Sequence, residues 1–240
     1  MSPRPATIVS AAAPWVVAAA MSIYILRQCR RPSGPVGLFF ARLMNRTHGG
    51  LRAWALDHLS IASAASILDV GCGGGQTLHA LASLAPEGKV YGVDYASASV
   101  ATARSVNAAL IRAGRIDVRQ ASVSTLPFAD ETFDVVTAME THYYWPDLAH
   151  DLREIGRVLV PGGRLMIVAE AYDRGGASAM QRPIMAALKA KFLTREAHCE
   201  LFESAGLIDV QAFENRSKGW LCVVGTRDAR LAAPTPESTT

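Results

Sequence analysis

From Ser66 onward the chain alternates short apolar runs with longer amphipathic stretches, a pattern typical of a parallel α/β sheet. Apolar positions at helical spacing predict helices between the strands. The predicted strands are Ser66–Val70, Val90–Asp94, Asp117–Gln120, Phe133–Met139, Arg164–Ala169, Ile208–Glu214 and Trp220–Thr226. The predicted helices are Thr77–Leu84, Ala98–Ala113, Leu148–Leu159, Ile184–Lys191 and Arg195–Ala205.

The last two predicted strands are separated only by the short polar stretch 215–219, which permits only an antiparallel pair. Ahead of the sheet, Leu38–Asn45 and Leu51–Leu59 show helical spacing and predict a small helical cap. The pattern therefore predicts a three-layer α/β domain. It would have five parallel strands, a terminal antiparallel hairpin and the helical cap at its N-terminal side.

The N-terminal segment is apolar, because Ala6–Leu26 carries no charged residue and is long enough to cross a bilayer as a helix. The arginines that follow it outnumber Arg4 before it, which would leave the rest of the chain in the cytoplasm. Pro14 and the high alanine content favour instead a packing helix or a disordered extension. Both interpretations stay open. We divide the chain into the apolar segment 1–31, the cap 32–65, the sheet domain 66–227 and a disordered tail 228–240.

Composition narrows the class of protein. Half of the 240 residues are hydrophobic and the formal net charge is only +3, which suits one globular domain with an accessory segment. Part of the basic excess lies directly after the apolar segment, so it does not indicate a nucleic-acid-binding face. The four cysteines are scattered without a C-x-x-C pair, which argues against structural zinc and against disulfides. We therefore expect a reducing cytoplasmic compartment and no metal ion.

A glycine-rich turn follows the first predicted strand, and a carboxylate ends the second. Such a turn lets a ligand approach the backbone, and the carboxylate can accept hydrogen bonds from ribose hydroxyls. The glycines are spaced G-x-G-x-G, which departs from the G-x-G-x-x-G of dinucleotide sites. Asp69, two residues before Gly71, would repel a phosphate and favours a cation. Together with Asp94, the turn predicts a positively charged nucleoside, and S-adenosylmethionine fits that description.

Three further segments follow these motifs in a fixed order. They are Leu126–Asp134, Glu140–Pro146 and Arg157–Leu165. With the glycine turn and the terminal hairpin, this series resembles the class I S-adenosylmethionine-dependent methyltransferases, and more narrowly their ubiquinone/menaquinone-type small-molecule branch. The resemblance extends from about Ser66 to Thr226. It implies a Rossmann-like seven-stranded sheet whose last strand inserts antiparallel beside the fifth.

The resemblance also implies which residues hold the cofactor. The methionine end would lie against Asp69, Gly71, Cys72, Gly73 and Glu140, the ribose against Asp94, and the adenine against Tyr95, Ser122 and Val123. Ser122 stands where the family often has an aspartate, so its neutral hydroxyl would hold the adenine amino group more weakly. Asp94 could alternatively cap the following helix. Cys72 has no base adjacent in sequence and is interpreted as a small turn residue rather than a nucleophile.

Methyl transfer from a sulfonium is a single in-line displacement that needs alignment and, for some acceptors, removal of a proton. Candidate groups follow the fourth and fifth strands, at the edge where α/β sheets bind ligands. We expect His142 to be the general base, since an imidazole titrates near physiological pH. The alternative is a histidine packed in a loop. Glu140 and Tyr143 are further catalytic candidates, although Tyr143, Tyr144 and Trp145 could instead be core residues.

Asn45 and His48 in the cap could fold over the cofactor, but we rank both below His142. The sequence thus predicts a small-molecule methyltransferase, with a lipophilic acceptor favoured if Ala6–Leu26 associates with a membrane. A nicotinamide-dependent oxidoreductase is a weaker alternative because the third glycine of its fingerprint is missing. A non-catalytic domain that binds the cofactor is another alternative, supported by Ser122 and by the undefined base. No stacked aromatic and basic platform indicates a nucleic-acid partner.

Overall fold

The structure is a computed structural model that describes Gly34 and residues 48–231. The strands are β1 (Ser66–Val70), β2 (Lys89–Asp94), β3 (Ile116–Gln120), β4 (Phe133–Met139), β5 (Leu159–Ala169), β6 (Leu207–Asn215) and β7 (Trp220–Arg227). The α-helices are α1 (Gly49–Leu56), α2 (Gln76–Leu84), α3 (Ser97–Val106), α4 (Ala108–Arg112), α5 (Leu148–Val158), α6 (Gln181–Ala187) and α7 (Arg195–Ser204). Short 3₁₀ turns lie at His142–Tyr144, Gly175–Ser178 and Ala229–Leu231.

All seven strands form one sheet in the order β3-β2-β1-β4-β5-β7-β6. Strands β1 to β5 run parallel, and β7 inserts antiparallel between β5 and β6. This confirms the predicted Rossmann-like sheet with its antiparallel terminal hairpin. The strand order reverses at β1 and β4, so the carboxyl ends of these strands border the crevice in which such sheets bind ligands.

The centre of the sheet is buried on both faces, which explains the continuous apolar runs in the sequence. Ile67 and Leu68 are adjacent in β1 and have no exposed surface, yet they belong to two separate apolar clusters. Successive side chains of a strand point to opposite faces, so each cluster covers one face of the sheet. The sheet therefore supplies a rigid base for the residues at its carboxyl edge.

Three elements differ from the prediction. The helix predicted at Ala98–Ala113 is split into α3 and α4 at Asn107, whose buried amide donates to the carbonyls of Gly75 (2.9 Å) and Ala103 (3.0 Å). Strand β5 begins at Leu159 rather than at the predicted Arg164, and it contains a bulge at Pro161, Gly162 and Gly163. The helix predicted at Ile184–Lys191 is α6, which ends before Lys189 adopts a positive φ of 52°.

Several predictions concern the ends of the chain. The apolar segment Ala6–Leu26 and the predicted helix Leu38–Asn45 lie outside the described residues. Among the residues that are described, no helix is long and apolar enough to span a bilayer. The tail predicted to be disordered from Asp228 begins with an ordered turn, because Arg230 Nη2 donates to the Asp228 carboxylate at 2.8 Å. Residues 232–240 lie outside the described part.

Candidate functional site

The glycine turn between β1 and α2 is fixed against β2 by backbone hydrogen bonds. Gly71 and Cys72 donate their N–H groups to the carbonyl of Val93 at 2.8 and 3.0 Å. Gly71 has a φ of +72°, and a Cβ there would lie 2.2 Å from Oγ1 of Thr141. Position 71 therefore requires glycine for its backbone conformation and for the approach of the loop after β4. Burial raises the pKa of the Cys72 thiol well above its usual value, as expected for a structural turn residue.

Asp94 at the end of β2 lies between the glycine turn and α3. Its Oδ2 accepts a hydrogen bond from the N–H of Gly73 at 3.0 Å, and its Oδ1 accepts one from Ala96 at 2.8 Å. Burial raises the pKa of this carboxyl, and the two N–H donors oppose the rise. The capping contact considered in the sequence analysis is thus present, together with a direct link to the turn.

Asp69 is a second buried acid at the same edge of the sheet. Its Oδ1 accepts a hydrogen bond of 2.7 Å from the Thr137 hydroxyl. Burial raises the pKa of Asp69 to about 7, the carboxylate of Asp94 adds to the rise, and Thr137 and Arg52 oppose it. The crevice therefore holds two acidic groups whose ionisation a bound cation would favour.

The residues expected to hold adenine lie in the loops after β2 and β3. Tyr95 directly follows Asp94 and is 40% exposed, while Val123 is buried. Ser122 is exposed, and its Oγ accepts a hydrogen bond from the N–H of Ser124 at 3.2 Å. Because β2 and β3 are neighbouring parallel strands, these loops emerge at the same edge of the sheet as Asp94.

Glu140 and Tyr143, both catalytic candidates, are joined by a hydrogen bond directly after β4. The Tyr143 hydroxyl donates to Glu140 Oε1 at 2.9 Å and accepts the N–H of Ala171 at 3.1 Å. Glu140 Oε1 also accepts a short hydrogen bond from the N–H of Glu170. Burial raises the pKa of Glu140 to about 8, although both donors oppose this. Tyr143 is itself buried with a pKa well above its usual value, so it positions Glu140 rather than taking up a proton.

His142 lies in the core, which argues against the general-base role expected for it. Its side chain has no exposed surface, and its Nε2 lies 3.0 Å from Nε2 of His198. His198 Nδ1 is 2.7 Å from the carbonyl of Thr194, so it donates there, and His142 donates through Nε2. Burial lowers the pKa of both imidazoles. A base must reach the proton that it removes, and this neutral, enclosed ring does not.

The aromatic segment after β4 also lies in the core. Tyr143 and Trp145 are 4% and 5% exposed and belong to the larger apolar cluster. The indole N–H of Trp145 donates to Oγ1 of Thr141 at 3.1 Å. The interpretation as core residues therefore describes these two rings.

Helix α1 packs on the terminal hairpin through one face. The rings of Trp54 and Trp220 lie 5.8 Å apart, and His58 stacks on Phe213 at 4.1 Å. Trp220 opens β7 and Phe213 lies in β6, so α1 and the turn that follows it contact both strands. This contact fixes where the rest of α1 lies relative to the sheet.

His48 lies directly before α1, and Arg52 lies in the first turn of this helix. These residues are one helical turn apart, so their side chains are neighbours. His48 Nε2 lies 3.5 Å from Glu170 Oε2, and Trp220 Nε1 donates to Glu170 Oε1 at 3.4 Å. Burial lowers the pKa of His48, and Glu170 partly opposes this. The sequence analysis ranked His48 below His142 and did not identify Arg52; the only signal for Arg52 was its spacing from His48.

His48, Glu140 and Glu170 form a compact polar cluster whose ligating atoms lie within 4.8 Å of one another. Such nitrogen and oxygen donors could hold a divalent transition-metal ion. Both carboxylates already accept hydrogen bonds from the protein, Glu140 from Tyr143 and Glu170 from Trp220. These bonds account for the cluster without an ion, and the expectation that no metal is required stays a prediction.

Comparison with known proteins agrees with this geometry. Residues 68–167 match the family described as "Methyltransferase domain". The matched range runs from β1 into β5 and contains the glycine turn, Asp94 and Glu140.

The similarity to curated relatives covers only part of the length of each relative. A demethylmenaquinone methyltransferase of Lactiplantibacillus plantarum is 37% identical over 121 residues, which are 50% of this chain and 51% of that protein. An O-methyltransferase of Penicillium expansum is 30% identical over 174 residues, which are 62% of this chain and 63% of that protein. The chain thus spans about half to under two thirds of the length of these curated relatives.

A solved structure has the same fold. A chain of the complex between the Haloferax volcanii Trm112 methyltransferase activator and its methyltransferase aligns with a TM-score of 0.68 and 23% identity. The alignment covers 78% of this chain and 93% of that one. At this identity the likeness establishes the fold alone.

Proposed function

We propose that this chain, whose residues 68–167 match the family described as "Methyltransferase domain", is a class I S-adenosylmethionine-dependent methyltransferase that transfers a methyl group from S-adenosylmethionine to a small molecule. The observation that carries the proposal is the link that Asp94 makes between the glycine turn and the end of β2. It puts a buried carboxylate at the point where open α/β sheets bind nucleosides. In this assignment Asp94 binds the ribose hydroxyls, and Tyr95, Ser122 and Val123 surround the adenine.

The charges of the crevice support a cationic ligand. Asp69 and Asp94 are both buried, and desolvation makes the ionised form of each costly. A sulfonium nucleoside with an ammonium group offsets that cost, whereas a pyrophosphate would increase it. The G-x-G-x-G spacing and these acids therefore favour S-adenosylmethionine over a nicotinamide dinucleotide.

His48, paired with Glu170, is the general base in this proposal. The acceptor's lone pair forms the bond to the methyl carbon, and the carbon–sulfur electron pair moves to sulfur, leaving a neutral thioether. For an acceptor with an O–H or N–H group, the released proton goes to the neutral imidazole of His48. Glu170 stabilises the imidazolium that results, because its carboxylate lies 3.5 Å from the ring.

The acceptor is a small organic molecule in this proposal. The relatives named above include a demethylmenaquinone methyltransferase and an O-methyltransferase, which favours a quinone-like or hydroxylated acceptor. We place the reaction in the cytoplasm, where the cofactor is made. Membrane association through Ala6–Leu26 stays a prediction.

Labelled cofactor tests the proposal without a prior choice of acceptor. The full chain is incubated with cell extract and trideuteromethyl S-adenosylmethionine, and labelled products are identified by mass spectrometry. We expect a product that depends on the wild-type chain and is reduced with Asp94→Asn. Binding of the cofactor without any labelled product, across extracts of several growth conditions, would favour the non-catalytic alternative instead.

A further inference from the structure

Helix α6, in the connection from β5 to α7, exposes large apolar side chains. Met180, directly before the helix, is 88% exposed, and Ile184 is 50% exposed. Ile184 follows Met180 by four residues, and the exposed Ala187 follows Ile184 by three, so the three side chains share one face of the helix. Isolated apolar residues are common on surfaces, but neighbouring ones on one face indicate a contact surface.

The other side of α6 is fixed to the fold. Met185 is 6% exposed and belongs to the same apolar cluster as Tyr143. After the helix, the N–H of Lys191 donates to the carbonyl of Tyr143 at 2.8 Å, and the N–H of Asp173 donates to the carbonyl of Leu193 at 2.8 Å. The exposed face therefore belongs to a helix that is packed on the core.

These contacts also place α6 at the carboxyl edge of the sheet. Strand β5 ends at Ala169, and the connection that contains α6 begins there. Tyr143, whose carbonyl holds Lys191, donates its hydroxyl to Glu140 at 2.9 Å. A surface in contact with α6 would thus lie on the side of the sheet at which the proposed methyl transfer takes place.

Basic residues accompany the apolar face. Between residues 174 and 195 the chain carries five basic residues and no acidic one, although its formal net charge is only +3. Arg182, Lys189 and Lys191 are exposed, and Arg182 pairs with Asp173 at 2.8 Å. Exposed apolar side chains beside basic ones are the combination with which surface helices bind anionic lipid headgroups.

A bilayer suits this face better than a folded protein does. Helix α6 has only seven residues, whereas a stable protein interface buries more than about 1,000 Å². A lipid surface needs no matching shape, and each basic residue adds to the attraction. We propose that the exposed face of α6 docks on an anionic lipid bilayer and that the methyl acceptor reaches the crevice from that bilayer. The second part rests on the function proposed above.

Vesicles of phosphatidylcholine with and without phosphatidylglycerol test the docking on the full chain. Hydrogen exchange read by mass spectrometry should show protection of residues 179–191 with the anionic vesicles and not with the neutral ones. The double variant Met180→Ser, Ile184→Ser should raise the lipid concentration for half-maximal protection about 10- to 100-fold. Lys189→Gln with Lys191→Gln should raise it about 25-fold, about 5-fold for each charge.

Two variants on other helices are the matched controls. Leu84 is 45% exposed at the end of α2, and Arg112 is exposed at the end of α4. Leu84→Ser and Arg112→Gln should leave the protection of residues 179–191 unchanged. Thermal melting shows whether each variant is folded.

Vesicle binding of the chain without protection of residues 179–191 would assign the lipid contact to another segment and overturn the docking. Protection that rises with protein concentration in the absence of vesicles would assign the face to a second copy of the chain and overturn it as well. Both outcomes leave the proposed function standing.

The acceptor is tested with a cell membrane fraction and trideuteromethyl S-adenosylmethionine. The labelled product should extract into organic solvent, and a product found only in the aqueous phase would overturn the second part of the proposal. A chain that docks on vesicles through α6 but labels no product in any fraction removes the proposed function, and the acceptor route with it, while the docking stands.

Discussion

The carboxylate of Asp94 accepts a hydrogen bond of 3.0 Å from the backbone N–H of Gly73. This bond joins the end of β2 to the glycine turn after β1, across the point where the strand order reverses. The same carboxylate accepts the N–H of Ala96 before α3. One side chain therefore sets the spacing of the three elements that border the proposed ribose site.

Replacing Asp94 by Asn should weaken cofactor binding more than folding. The amide oxygen can still accept a backbone N–H, but the charge that would hold the ribose hydroxyls is lost. We expect the Kd for S-adenosylhomocysteine to rise about 10- to 100-fold, as titration calorimetry would measure. Asp134→Asn is the matched control, since Asp134 Oδ2 also accepts a backbone N–H, that of Ser66, far from the carboxyl ends. Equal affinities in both variants would contradict the ribose assignment.

Replacing Gly71 by Ala should destabilise the fold and remove cofactor binding. The added Cβ meets Thr141 Oγ1 at 2.2 Å, in a left-handed backbone that disfavours alanine. The two effects together should lower the free energy of unfolding by about 2–5 kcal/mol in a denaturant titration.

Gly156→Ala is the control for the effect of replacing a glycine by alanine. Gly156 lies within α5, and a Cβ there meets nothing within 4 Å. Alanine should stabilise that helix by up to about 1 kcal/mol. Equal stability of the two variants would contradict the close approach between position 71 and Thr141.

Binding of S-adenosylmethionine should release protons near neutral pH. Burial raises the pKa of Asp69 to about 7, so the unliganded carboxyl is partly protonated there, and a cationic ligand favours its ionised form. Affinity should therefore fall as the pH drops below about 7. Calorimetry in buffers of different ionisation enthalpy measures the release, which Asp69→Asn should abolish. Identical proton release in that variant would assign the linkage to another group.

Acid should destabilise the fold through the buried histidine pair. Burial lowers the pKa of His142 and His198 below the 6.5 of the unfolded chain, so the unfolded state binds more protons below that pH. This contribution to stability is present above pH 6.5 and is lost as the pH falls. The slope is at most about 1.4 kcal/mol per pH unit for each proton.

The measurement is the free energy of unfolding at several pH values for the wild type and for His198→Gln. The difference between the two isolates the contribution of His198 from that of carboxyls such as Asp69, which titrate in the opposite sense. The exposed His79→Gln provides the control and should follow the wild type. Parallel curves for wild type and His198→Gln would contradict a lowered pKa of His198 in the folded state.

Activity should depend on His48 rather than His142. With the product identified by labelled cofactor, His48→Gln should lower kcat about 10²- to 10⁴-fold for an acceptor that loses a proton. Glu170 raises the pKa of His48, so Glu170→Gln should shift the acid limb of the rate profile to lower pH. A loss of kcat in folded His142→Gln, with His48→Gln unaffected, would restore the sequence-based assignment.

The strands and the residues at their ends could be predicted from the sequence for a physical reason. Parallel strands buried on both faces require continuous apolar runs, and the carboxyl ends of such strands are where ligands bind. These two rules identify four site candidates, Asp69, Gly71, Gly73 and Asp94. The break at Asn107 does not, because it depends on a side-chain bond to Gly75, in a different segment.

We propose His48 rather than His142 as the general base, and the sequence favoured His142 because burial is a tertiary property. His142 follows β4 as an exposed base would, yet His198 on α7 encloses it. The sequence analysis ranked His48 below His142 and did not identify Arg52, because the positions of both also depend on tertiary packing. Their position relative to the sheet follows the packing of α1, which includes the contact between Trp54 and Trp220 and which no local pattern indicates.

A crystal structure of the chain with S-adenosylhomocysteine is the most direct test of the central claim. The account predicts the ribose hydroxyls within hydrogen-bond distance of the Asp94 carboxylate, above the turn that contains Gly71 and Gly73. A nucleoside bound elsewhere, with no ribose hydroxyl within hydrogen-bond distance of Asp94, would contradict it.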